Sequence, residues 1–344
     1  MSNCIDVKER NFSFDALRVI AILAVIMIHI SAPLVVNNPY KSLNFIVGNA
    51  LDSISRIAVP FFIMISGFFM LNENKNITVE KIVKKTEKLF ILLVLWSCFY
   101  ALIYNTKDFI YYLIYGHYHL WYMFLIIGLY LQVPVLRLFV KEQNKNYVYY
   151  TILLGLIFSF LPNFLNGIFV SGNVSKYFNL YNVLMGGGYT VYFLIGWVFR
   201  LDNFKYFSRK LLKLILFLSL SSIFLCTQFV HYRNVNSYDI YYNSLNFPVL
   251  FYSFSLFYLL LSFFNSISNK ISQNIKFFVS KCSSLSLGVY LVHASIIHLL
   301  ESVLKNIVGD IIYVILCFPI TIILSFIICY ILSKVKYLNQ LIKI

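Results

Sequence analysis

Ten apolar runs, at about 16–36, 54–71, 89–106, 119–139, 147–161, 183–200, 211–230, 245–265, 284–303 and 311–333, constrain this chain more than any other feature. A membrane-spanning helix needs about 20 largely apolar residues. Ten of them account for most of a 344-residue chain and leave only short connections. Charged residues make up 12% of the sequence, about half the usual share of a soluble domain, which excludes a water-soluble globule. An aromatic content of 19% excludes a chain too polar to collapse. The expectation is an all-α polytopic membrane protein of about ten helices, forming one membrane domain over 1–344.

The connections alternate in charge. Twenty-one of the 28 lysines and arginines fall in the N-terminal segment, in alternate loops and after the last run, among them Lys75, Lys85, Lys88, Arg137, Arg200 and Lys281. The opposite loops hold one each: Lys41, Lys107, Lys176, Arg233 and Lys305. The positive-inside rule then places both termini in the cytoplasm, and the net charge of +15 is a topology signal that needs no nucleic-acid partner. Asp15 and Arg18 at its start, and nine further runs, make the first run an uncleaved helix rather than a signal peptide.

The six cysteines are scattered without metal-ligand spacing and read as packing residues. No nucleotide-binding glycine motif, zinc signature or nucleophile elbow is present. Gly186-Gly187-Gly188 reads as a flexible lead into the sixth run rather than a phosphate cradle.

Ionisable groups inside spans are expensive and usually functional. In the first run Arg18 and His29 are eleven apart, on nearly the same helix face and separated by about 16 Å along the axis. Asp15 lies one turn before Arg18 and can pair with it. Pro33 cannot donate to the His29 carbonyl. A cation at the mouth and a base at depth suit the path of an anionic carrier. The alternative is that Arg18 snorkels to lipid phosphate and His29 bridges two helices. Arg56, at the outer end of the second run, either binds an anionic group on an acceptor or pairs with Asp52 at i, i+4. His117, His119 and Trp121 open the fourth run, with Trp121 also suited to an interfacial belt. His293 and Glu301, eight apart in the ninth run, suggest either a proton-transfer pair or a structural hydrogen bond.

Together these strings resemble the acyltransferase-3 family of integral membrane O-acyltransferases, over nearly the whole chain. The first run is similar to the family signature at Asp15, Arg18, Ala21 and His29, with the Arg-x10-His spacing intact. Val59-Pro60 and Ser66-Gly67 resemble the second helix, His119-Leu120-Trp121 with Tyr130 and Pro134 a third block, and Leu287 to His293 a fourth. The resemblance implies transfer of an acyl group, most often acetyl, from cytoplasmic acyl-CoA to a hydroxyl of a cell-envelope glycan or lipid-linked sugar. It gives His29 and Asp15 to catalysis, and Arg18, Lys85 and Lys88 to CoA. Arg56, His119, Trp121, His293 and Glu301 go to acceptor binding or proton relay. Lys85 and Lys88 stand where relatives often carry Arg-x-x-Arg, so they meet phosphate as point charges without the bidentate fork. It further implies a multi-pass place in the plasma membrane and action alone or with envelope-biosynthesis partners, while the residues themselves suggest no metal and the Lys-, Ile- and Asn-rich composition suggests a low-GC bacterium. A transporter or flippase of a glycan, amino acid or lipid precursor is the alternative, although no repeat relates the two halves.

Overall fold

Side-chain caps start several of the long helices. Asn11 accepts the Ser13 amide at 3.0 Å to open α1 (Phe12–Val36), and Ser42 accepts from Phe45 at 3.1 Å to open α2 (Leu43–Ser55). Each satisfies one of the amides that a helix start leaves without a partner. The structure, a computed structural model, describes residues 11–104, 109–169, 188–201, 207–233, 240–305, 307–336 and 338–342. The chain continues through α3 (Ala58–Met70), α4 (Val79–Ile103), α5 (Phe109–Tyr115), α6 (Trp121–Phe139), α7 (Lys145–Gly155) and α8 (Leu161–Phe169). It ends with α9 (Thr190–Val198), α10 (Arg209–Tyr232), α11 (Phe247–Ile267), α12 (Gln273–Leu304) and α13 (Asp310–Lys334). No strand occurs among the described residues.

Among the described residues, nine helical stretches are long and apolar enough to cross a bilayer. The protein is an all-α, multi-pass membrane protein. Nine of the ten expected runs correspond to these stretches. Of the run at 183–200, α9 is described and all its residues are buried, while 183–187 lie outside the described residues. So do Gly186, Gly187, Cys4, Lys8, Arg10, Lys107, Lys176, Lys205 and Lys343. Gly188 has φ of 61°, a left-handed turn suited to glycine, and donates its amide to Ser159 Oγ at 2.7 Å.

Three boundaries differ from the sequence expectation. The second span starts eleven residues early, at Leu43, and is broken between α2 and α3 at Arg56 and Ile57. Its polar residues belong inside because partners meet them there. Asn49 donates to Phe224 O at 3.0 Å and accepts from Tyr242 Oη and Ser53 Oγ. The helices of the third and ninth runs, α4 and α12, start at Val79 and Gln273, capped by Thr78 and Ser272, and so carry lysine-bearing turns ahead of their apolar runs.

Helix α1 packs against α2, α3, α11, α12 and α13, which accounts for a helix apolar on nearly every side. One end of the bundle is basic. Arg137 donates to the Met70, Asn72 and Lys75 carbonyls at 3.2, 2.6 and 2.7 Å, capping the negative end of α3. Arg200 donates to Phe68 O at 3.3 Å, and Arg18 and Lys75 lie 5.3 and 5.0 Å from the Phe69 ring centroid.

Helices α3 and α9 meet backbone to backbone. A Cβ on Gly67 would lie 1.9 Å from Phe193 O, and one on Gly196 would lie 2.1 Å from Met64 O. Small residues allow such approach where no hydrophobic effect drives helices together. Gly67→Ala or Gly196→Ala is expected to destabilise the protein by about 1–3 kcal/mol, the scale of overpacking. Gly128→Ala, with nothing within 4 Å of the new methyl, should be neutral. Thermal unfolding in detergent separates the two outcomes.

Candidate active site

The first helix carries ionisable groups at two levels on one stripe. At its start Asp15 is buried and accepts from Ser283 Oγ of α12 at 2.6 Å. Arg18 pairs with the same carboxylate at 3.4 Å and lines a cavity of about 120 Å³. Lys85 of α4 lies 4.5 Å from the ring centroid of Tyr130, which lines that cavity too. Lys88, one turn further on, is half-buried.

Eleven residues along α1, half-buried His29 lines a chamber of about 740 Å³. A second cavity of about 610 Å³ also reaches His29 and Tyr118. Three elements, α1, α12 and the loop before α6, bring rings to this point. The His29 centroid lies 5.2 Å from His293, 5.2 Å from Tyr118 and 6.3 Å from His119, and His119 lies 5.2 Å from His293.

The hydrogen bonds define what these imidazoles can do. His293 Nδ1 faces two carbonyls of its own helix, Tyr290 O at 2.7 Å and Val289 O at 3.2 Å. A carbonyl only accepts, so Nδ1 carries the hydrogen and Nε2 keeps its lone pair. That Nε2 is buried with no partner among the described residues. His119 Nδ1 shares a hydrogen with His117 Nδ1 at 2.8 Å, and its buried Nε2 is likewise without a partner there. Buried polar atoms are nearly always paired, and exceptions mark sites. One basic nitrogen, His293 Nε2, is thus held beside His29, and His119 Nε2 is a base or a donor according to which ring of the His117–His119 pair gives the shared hydrogen.

On another wall of the chamber Arg56 is held by Asp52 at 2.5 Å. It also lies 4.0 Å from the Tyr242 ring centroid. Tyr242 in turn donates to Asn49 at 2.5 Å. The sequence-based position of Arg56 at the end of a span becomes a place at the break between α2 and α3, facing the chamber. Trp121 lines the same space.

A family model described as an acyltransferase domain matches residues 11–330. The chain belongs to the acyltransferase-3 family. It is therefore a membrane acyltransferase. No curated protein and no solved structure matches it.

In this acyltransferase two expected site residues stand apart from His29. Asp15 is fourteen residues before it, about 21 Å along the helix axis, and engages Arg18 and Ser283 instead. Its Oδ1 holds the Arg18 guanidinium in an ion pair. Glu301 lies about 12 Å beyond His293 along α12, where Lys305 takes its carboxylate at 2.5 Å. It lines the second cavity and does not form the acid–base pair that the eight-residue spacing suggested. Among the described residues no group of three or more His, Cys, Asp or Glu side chains is arranged to hold a metal ion.

Sequence reasoning missed Tyr118, Tyr122, Tyr242 and Tyr290, all chamber-lining. Tyr290 could have been found, because it precedes His293 by three and shares its face. Tyr242 comes from a short turn, Ile240–Tyr242, with no local signal.

His117, ahead of the spanning part of α6, is pushed down to about 4 from 6.5 by burial first, and by His293 and His298 in the same direction. The unfolded chain takes up a proton below pH 6.5 that the folded protein refuses until about pH 4. This group's contribution to stability is complete above that range and falls as the pH drops through it. Melting temperatures between pH 4 and 8 should fall on the acid side, and His117→Gln should flatten that slope.

Proposed function

We propose that this membrane acyltransferase takes an acyl group, acetyl first among them, from cytoplasmic acyl-CoA. It passes the group to a hydroxyl of a cell-envelope glycan or lipid-linked sugar. One observation carries the reading: His29 stands in a chamber beside two partnerless imidazole nitrogens, with a cavity holding Arg18 on its basic side. CoA phosphates suit Arg18, Lys85 and Lys88 as charge-assisted partners. Asp15 holds the guanidinium in place.

In the transfer, the acceptor oxygen attacks the thioester carbonyl carbon while neutral His29 takes its proton. The C–O bond forms, the C–S bond breaks, and the departing thiolate recovers a proton from the imidazolium. Between the two transfers His293 Nε2 can share the proton held on His29, and the same proton ends on the thiol. The acceptor in this reading is a neutral polyol. Arg56 is already neutralised by Asp52, so the pair favours hydroxyl groups over a phosphate, and Trp121, Tyr118 and Tyr242 offer flat faces to sugar rings.

Membranes carrying equal amounts of wild type or His29→Ala, given labelled acetyl-CoA and native envelope acceptors, test this. Wild type should move label into glycan or lipid, and the variant should lose roughly a hundredfold or more. Label moving normally in the variant would overturn the role of His29. No transfer from acetyl-CoA or succinyl-CoA would overturn the donor. Label accumulating on the wild-type protein without acceptor would make His29 a transient acyl carrier. Lys85→Ala should raise KM for acyl-CoA about tenfold with kcat little changed, the pattern of a lost binding contact.

A further inference from the structure

Three rings separate the cavity of Arg18 from the chamber of His29. Phe62 of α3, Tyr122 of α6 and Tyr290 of α12 line both spaces. Their centroids step across the passage, 6.0 Å from Phe62 to Tyr122 and 5.7 Å from Tyr122 to Tyr290. They are not held alike. Tyr290 is buried and donates its hydroxyl to the His119 carbonyl, which ties it to the histidine cluster. Phe62 is only half-buried and has no polar atom to anchor it. Turning Tyr290 aside breaks a buried hydrogen bond, whereas turning Phe62 aside breaks none.

We propose that these rings form an aromatic collar through which the acylated arm of the donor is threaded, with Phe62 setting the largest acyl group that reaches His29. The inference rests on the acyl-CoA reading. The volumes decide where selection occurs. A chamber of about 740 Å³ falls within the range that holds whole drug-sized ligands, so it does not distinguish acetyl from larger acyl groups. The space on the basic side is only about 120 Å³. The acyl group leads the arm and meets the collar first, and the thin chain of methylenes and amides follows. Width at the collar therefore excludes branched or aromatic acyl groups before the chemistry begins.

The test compares isobutyryl-CoA with acetyl-CoA in membranes of wild type, Phe62→Ala, Phe62→Leu and Phe124→Ala. Phe124 is an exposed aromatic of α6 outside the collar. The isobutyryl-to-acetyl rate ratio should rise by about tenfold or more in Phe62→Ala, the scale on which a methylene of fit changes discrimination. Phe62→Leu should be intermediate and Phe124→Ala unchanged. Should Phe62→Ala fail to accumulate, Phe62→Leu still shows a higher ratio if the collar selects. An unchanged ratio with acetyl transfer intact overturns the collar. Loss of acetyl transfer in Phe62→Leu at normal abundance overturns it also, because the ring would then serve the chemistry and not passage. Failure of the donor reading is distinguishable, since the wild type itself would transfer neither acyl group.

Discussion

A polar group carried into hydrocarbon must find its partner inside the protein, because the lipid supplies none. The arrangement of this bundle follows from meeting that demand around its central helix. Asp15 Oδ1 accepts from Ser283 of α12 and meets Arg18 one turn away. Asn49 collects a carbonyl from α10, a phenol from the turn before α11 and a serine from its own helix. The bonds to Ser283, Phe224 and Tyr242 join elements far apart in sequence and so set the orientation in which they pack. Where side chains are absent the same constraint acts through the backbone: Gly67 and Gly196 let α3 and α9 close to a distance that no Cβ permits.

Against that background the exceptions are informative. Among the described residues the Nε2 atoms of His119 and His293 stay without partners. Leaving a buried donor or acceptor unpaired costs about 1–3 kcal/mol, and both lie in one ring cluster with His29. The backbone carbonyls of Tyr290 and Val289 hold His293 in the tautomer that presents a lone pair. A base of this kind suits a proton transfer that must occur away from bulk water.

The geometry also divides labour along α1. The Arg18 level belongs to the basic end, where Arg137 and Arg200 cap the carbonyls at the end of α3. The His29 level belongs to the chamber, about 16 Å away along the helix. In the proposed reaction the charged part of the donor stays behind while its acyl end advances, and the rings of Phe62, Tyr122 and Tyr290 stand between the two levels. The broken second span contributes to the second level only, since the interruption at Arg56 turns an ion pair toward the chamber.

Much of this was legible in the sequence. Apolar length alone determined the helical class and nearly all the spans, because a bilayer leaves a backbone few alternatives. Local spacing determined the Asp15–Arg18 and Asp52–Arg56 pairs and the shared face of Arg18 and His29, since helical geometry relates residues three, four and eleven apart. The family motifs marked His119 and His293. Only the tertiary structure decided which of these marked residues meet. Spacing within α12 suggested His293 with Glu301, but the helix rise carries Glu301 to Lys305, while α1 and the loop before α6 bring His29 and His119 to His293. It also decided that the polar start of the second span lies inside the bundle, and that Tyr242 belongs beneath Arg56. The physical reason is that a periodic pattern specifies a face, whereas the partner on that face comes from another helix whose approach depends on packing across the whole bundle.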